Sequence, residues 1–102
     1  MNATLNALGD GRYALEGELT ADTVPGLWPR VVEAAAGGGH MEVSCAGIER
    51  ADSAAVACLL EWARLAREAG GSLRVGDLPE VMKVIMEVSD LDGILSGQVP
   101  TA

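Results

Sequence analysis

Apolar residues recur along this chain in two rhythms, and the change from one to the other marks its elements. Residues 12–19, Arg-Tyr-Ala-Leu-Glu-Gly-Glu-Leu, alternate loosely after the turn-forming Gly9-Asp10-Gly11. That pattern predicts a strand, with residues 4–8 as the other arm of a meander. Leu27, Val31 and Ala35 then recur at helical spacing, as do Trp28 and Val32. They predict a helix from Val24 or Pro25 to Ala36, capped by Asp22 or Thr23, since proline is accepted in a first turn. Gly37-Gly38-Gly39 ends it.

Alternation returns at residues 41–45, where Met41, Val43 and Cys45 share one face of a predicted strand, with a loop at residues 46–51. Asp52-Ser53-Ala54-Ala55-Val56 then leads into a long helical pattern. Val56, Leu59, Leu60, Ala63 and Ala66 form one apolar stripe, and Cys58, Trp62, Leu65 and Ala69 a second beside it, so a broad face is buried. Glu61, Arg64, Arg67 and Glu68 occupy much of the remainder, with Glu61 and Arg64 spaced to pair. After Gly70-Gly71, residues 72–75 predict a short strand, and Pro79 opens a helix to about Ser89 with Val81, Met82, Ile85 and Val88 inward. Asp92-Gly93-Ile94-Leu95 reads as a short strand or turn, and residues 98–102 as a loose tail.

Strands alternating with helices imply crossover connections. The expectation is an α/β fold in one domain over residues 1–102, a mixed sheet of four or five strands covered by three or four helices. A 49% apolar composition argues against disorder, and the absence of Phe leaves the core to Leu, Val, Ile, Ala and Met. The net charge of −8 argues against nucleic acid and anionic membrane surfaces, and favours a partner with a basic or apolar face. Residues 1–7 lack the charged region and apolar core of a signal peptide. No run approaches the roughly 18 apolar residues of a membrane span. With Cys45 and Cys58 both in apolar surroundings, the expectation is a cytoplasmic protein with free buried thiols.

Catalytic signals are sparse. The single histidine, His40, falls between a glycine run and a strand with no converging partner, so it reads as a solvated loop residue. No metal-ligand spacing occurs. The Gly37-Gly38-Gly39 run follows a helix and precedes a strand, the reverse of a phosphate loop. The expectation is therefore no enzyme, no cofactor and no metal. The chemistry worth following is at Asp52-Ser53. A helix start leaves N–H groups unpaired and carries partial positive charge, so Asp or Ser there can serve as a cap, and an anion on Ser53 would be stabilised.

The element order and the run Asp52-Ser53-Ala54-Ala55-Val56 resemble the STAS domain, the fold of anti-sigma factor antagonists, over residues 8–95. Leu15-Glu16-Gly17-Glu18-Leu19 resembles that family's early strand end. The resemblance implies a SpoIIAA-like fold and makes Ser53 a site that a partner kinase would phosphorylate. The chain departs from the pattern at Ala55, where the family has Gly, and at Thr20, where it has Asp, with Asp22 as the nearby acid. Leu27-Trp28 and Leu59-Leu60-Glu61-Trp62 resemble the MlaB branch, although both tryptophans also suit plain core filling.

The MlaB likeness implies a cytoplasmic subunit, held at the inner membrane through the ATPase subunit of a phospholipid-transporting ABC complex. The alternative partner is an anti-sigma factor serine kinase. On either reading the expected docking surface comprises Asp52, Ser53, Ala54, Glu49 and Arg50, widened by Glu61 and Arg64 and by Glu18 and Thr20.

Overall fold

The computed structural model describes residues 2–88. Strands β1 (Ala3–Gly9) and β2 (Arg12–Leu19) form an antiparallel hairpin. Gly9, Asp10 and Gly11 all take positive φ in its turn, which explains the two glycines there. β2 then pairs in parallel with β3 (His40–Ala51), and β3 in parallel with β4 (Ser72–Gly76), giving the sheet order β1-β2-β3-β4.

Parallel neighbours need crossovers, and two helices supply them. α1 (Val24–Ala36) joins β2 to β3, and α2 (Ser53–Glu68) joins β3 to β4. α3 (Glu80–Val88) follows β4. α1 packs against α2 and β1, while α2 also meets β4 and α3. The layer between helices and sheet is aliphatic: Leu5, Leu15, Val43 and Val75 from strands meet Val31, Leu59 and Met82 from helices. At its centre lies Trp62, fully buried, with the Tyr13 ring edge-on at 5.7 Å between centroids.

The helical stripes fell as their spacing required: Leu27, Val31 and Ala35 are buried, as are Val56, Cys58, Leu59, Trp62 and Ala66. Four expectations need correction. β3 does not stop at Cys45; residues 46–51 continue the strand. Relative to β2 it carries an extra residue between Ser44 and Gly47 and another between Ile48 and Arg50. Those bulges break the alternation yet return Ile48 to the core.

On α3, Met82 is buried but Val81 is 45% exposed; among the described residues this helix packs mainly on α2, and Val81 is not on that side. On α1, Val32 is exposed while Trp28 is half-buried. Ala69 lies past the last turn of α2 and is exposed. The expected turn or strand at residues 92–95, the tail of residues 98–102 and the inward Val88 side chain lie outside the described residues.

Candidate functional site

The parallel strands β2 and β3 end side by side, with Leu19 in register with Ala51. The next residue, Asp52, takes extended backbone angles and donates its N–H to the Leu19 carbonyl at 3.3 Å. It is the N-cap of α2. Its Oδ1 accepts from the Ala54 N–H at 2.8 Å and its carbonyl from the Ala55 N–H at 3.0 Å. Its second carboxylate oxygen, Oδ2, accepts from the Ala21 N–H at 3.1 Å. One side chain thus starts the helix and holds the loop after β2.

That loop is also tied from within. The Thr23 hydroxyl donates to the Glu18 carbonyl at 2.6 Å and accepts from the Thr20 N–H at 2.9 Å, and the Thr20 hydroxyl accepts from the Asp22 N–H at 3.3 Å. The expected capping of α1 by Asp22 or Thr23 is corrected accordingly. Thr23 holds the N-cap position but its hydroxyl is committed backwards into the loop, and Asp22 is exposed.

Ser53 is therefore the first helical residue, not the cap. It is exposed, and among the described residues its hydroxyl engages no hydrogen-bond partner. It sits where the dipole of a 16-residue helix is positive. Ala54 is half-buried, and Ala55 is fully buried in the core.

The outward face of α2 runs on from Ser53 through Ala57, Glu61, Arg64 and Glu68 at helical spacing. Glu61 lies eight residues on, roughly 12 Å down the axis. Arg64 bridges Glu61 through Nε and Glu68 through Nη1, the first of which is the pairing expected from sequence. The arginine is thus partly satisfied by its own helix before any partner arrives.

Glu49 and Arg50 are exposed at the end of β3, and Arg50 is in register with half-buried Glu18. The structure brings Asp52, Ser53, Ala54, Glu18, Thr20 and Arg50 to one end of the sheet. Glu61 and Arg64 extend that surface down the helix and do not close a pocket around Ser53. Sequence reasoning missed the Ala21 N–H, a backbone group that no side-chain pattern reveals, and the tie made by Thr23, which had the composition of a cap.

His40 opens β3 instead of lying in a loop, and its Nδ1 is 2.7 Å from the Ser72 hydroxyl on β4. Cys45 and Cys58 are free and buried. Burial pushes the Cys45 thiol up to about 12, with Asp77 and Cys58 adding to it, and pushes Cys58 up to about 11. Among the described residues no cluster of three or more His, Cys, Asp or Glu is placed to hold a metal ion. Among them, too, no helix is long and apolar enough to cross a membrane.

Residues 6–96 match the family model described as MlaB, STAS domain. Among solved structures, the chain is similar to the anti-sigma factor antagonist SpoIIAA in its unphosphorylated form: TM-score 0.62, 16% identity, covering 90% of this chain and 96% of that one. It is also similar to SpoIIAA, the Bacillus cell fate determinant, in its phosphorylated form: TM-score 0.69, 16% identity, covering 96% of this chain and 91% of that one. At such identity these likenesses speak to the fold. No curated protein sequence matches the chain.

Proposed function

The chain belongs to the STAS domain family, of the MlaB type, and on that premise we propose that it is a non-catalytic docking subunit whose partner is the ATPase of a phospholipid-transporting ABC complex. The observation that carries the reading is Ser53: exposed, at the positive end of α2, beside a loop that Asp52 holds in place. A binding surface gains from such preorganisation, because less freedom is lost on association. Ser53, Asp52, Arg50 and the Glu18–Thr20 strand end form its upper part, and the Glu61–Arg64 stretch of α2 its lower part. Glu49 and Ala54 border it.

The partner face over Ser53 is apolar, one of the two kinds of face that a chain of net charge −8 favours. Arg50 and Arg64 supply the positive points in this surface and meet acids on the partner, though Arg64 must first share itself with Glu61 and Glu68. The protein works in the cytoplasm, at the inner membrane through this contact, and supports assembly or activity of the complex that maintains outer-membrane lipid asymmetry. A phosphoryl group on Ser53 would add roughly −1.5 to −2 of charge next to Asp52 and weaken docking to an acidic or apolar face.

A second reading uses the same surface. The Asp52–Ser53 helix start also suits an anti-sigma factor antagonist that docks on a serine kinase and is released once Ser53 is phosphorylated. The MlaB-type family match favours the transporter partner. The test is affinity capture of the tagged wild-type chain and of Ser53→Glu from native cells in gentle detergent, with partners identified by mass spectrometry. An ABC ATPase and its permease, captured by wild type and lost with Ser53→Glu, is the expected result. A soluble serine kinase in their place would move the protein to the second reading.

A further inference from the structure

Among the described residues β1 lies at the edge of the sheet, paired only with β2. The Glu18 N–H donates to the Asn2 carbonyl at 2.9 Å, so Asn2 turns its peptide groups toward β2. With a period of two, Thr4 and Asn6 do the same, and Ala3, Leu5 and Ala7 direct their N–H and C=O groups outward. Exposed edges are normally guarded by charge or proline. Residues 2–9 carry neither, in a chain whose net charge is −8.

The edge is also self-complementary. Read in either direction from Leu5, the strand runs through a small polar residue to an alanine: Thr4 and Ala3 one way, Asn6 and Ala7 the other. A groove beside this edge is bordered by Leu5 and Ala7 on β1 and by Arg30, Glu33 and Ala34 on α1.

We propose that β1 is the seam of a twofold dimer, in which two copies of this chain join their edge strands antiparallel about Leu5 into one continuous sheet. Leu5 then exchanges a pair of N–H···O bonds with its counterpart, and Ala3 does so with Ala7 of the second copy. Thr4 lies opposite Asn6. The Asn6 amide N–H already donates to Glu16, which leaves its carbonyl oxygen to accept from the Thr4 hydroxyl of the other copy. The twofold axis stands perpendicular to the sheet, so the helices of both copies stay on one face and α1 comes alongside its mate. Arg30 of each copy there meets Glu33 of the other, an isologous pairing of opposite charges. Ser53 itself follows β3, two strands in from the seam, and is presented twice.

Light scattering of the purified full chain across a dilution series tests this. The wild type is expected to show about twice the 10.5 kDa mass of one chain at the concentrated end, falling on dilution. The double substitution Thr4→Lys with Asn6→Lys places like charges opposite each other and is expected to be monomeric, as is Thr4→Asp with Asn6→Asp. An equimolar mixture of those two variants is expected to regain the dimer mass. Circular dichroism verifies that each variant is folded, and Ala7→Pro, which removes an outward N–H and no bond to β2, serves as a further edge block. A wild type that stays monomeric throughout, or a dimer indifferent to all three changes, overturns the proposal.

Discussion

The Asp52 carboxylate reaches the backbone of Ala21, 31 residues earlier in the chain, through a 3.1 Å hydrogen bond to Oδ2. Its other oxygen is held by the Ala54 N–H in its own helix. The residue that begins α2 therefore also fixes the loop leaving β2, and Ser53 inherits a rigid setting from both. An acid at this position does more than satisfy a helix end.

Replacing Asp52 by Ala should therefore cost more than a simple cap. Loss of an N-cap costs about 1 kcal/mol, and the freed Ala21 N–H adds to it. Asp52→Asn should lose less, since its one carbonyl oxygen can keep the bond to Ala54. Urea denaturation of the three proteins is the check, and equal stability of Asp52→Ala and wild type would contradict the bridge.

The helices were legible in the sequence because their apolar spacing coincides with their buried faces, as Leu27, Val31 and Ala35 illustrate. β3 was only half legible. Cys45 and Ile48 are three residues apart, an interval that no regular strand can place on one face, and only the bulges against β2 reconcile them. Val81 misled for a different reason. Its spacing suits a buried stripe, but among the described residues α3 packs mainly on α2, and that contact buries the arc that Met82 occupies. At the candidate site, Asp52 and Ser53 could be read from the chain. The bond to Ala21 could not, since it depends on two strand ends lying side by side.

Trp62 fills the centre of the core, and among the described residues its buried indole N–H has no hydrogen-bond partner. Trp62→Ala should destabilise the protein by about 3–5 kcal/mol through the cavity it leaves. Trp62→Phe should cost clearly less, because it retains most of the packing and removes the unpaired donor. Thermal or urea unfolding of the pair reads the difference. A Phe variant as unstable as the Ala variant would show that the indole N–H contributes to the fold.

The two thiols give the protein a specific alkaline limit. Both are favoured as neutral thiols in the fold, with pKa values raised from 9.0 to about 12 and about 11. Below 9.0 this stabilisation is fully present. Above it the unfolded chain releases these protons first, so stability falls as pH rises toward 11 and then 12. Cys45→Ala with Cys58→Ala should be less stable at neutral pH through lost packing and should show a shallower alkaline decline. Thiol-specific reagents should label the native protein slowly and the urea-unfolded protein fast.

Gly17 sits at φ +94°, and a Cβ added there would run into the Asn2 carbonyl oxygen. Gly17→Ala should lower stability by more than the roughly 1 kcal/mol typical of a left-handed glycine, because backbone must also move. It should loosen the β1–β2 pairing first. Hydrogen exchange localises the effect, and protection of β1 amides equal to wild type would contradict it.

The proposed docking surface is Ser53 with the outward face of α2. It is checked by the affinity of the purified chain for the captured ATPase, measured for wild type, Ser53→Ala, Ser53→Glu and Arg64→Glu. Ser53→Ala is expected to bind nearly as wild type and Ser53→Glu at least about tenfold more weakly, a change of about 1.4 kcal/mol. Arg64→Glu, which reverses the positive point that meets acids on the partner, should also weaken binding, with the fold of every variant unchanged. Wild-type affinity in both Ser53→Glu and Arg64→Glu would place the contact elsewhere.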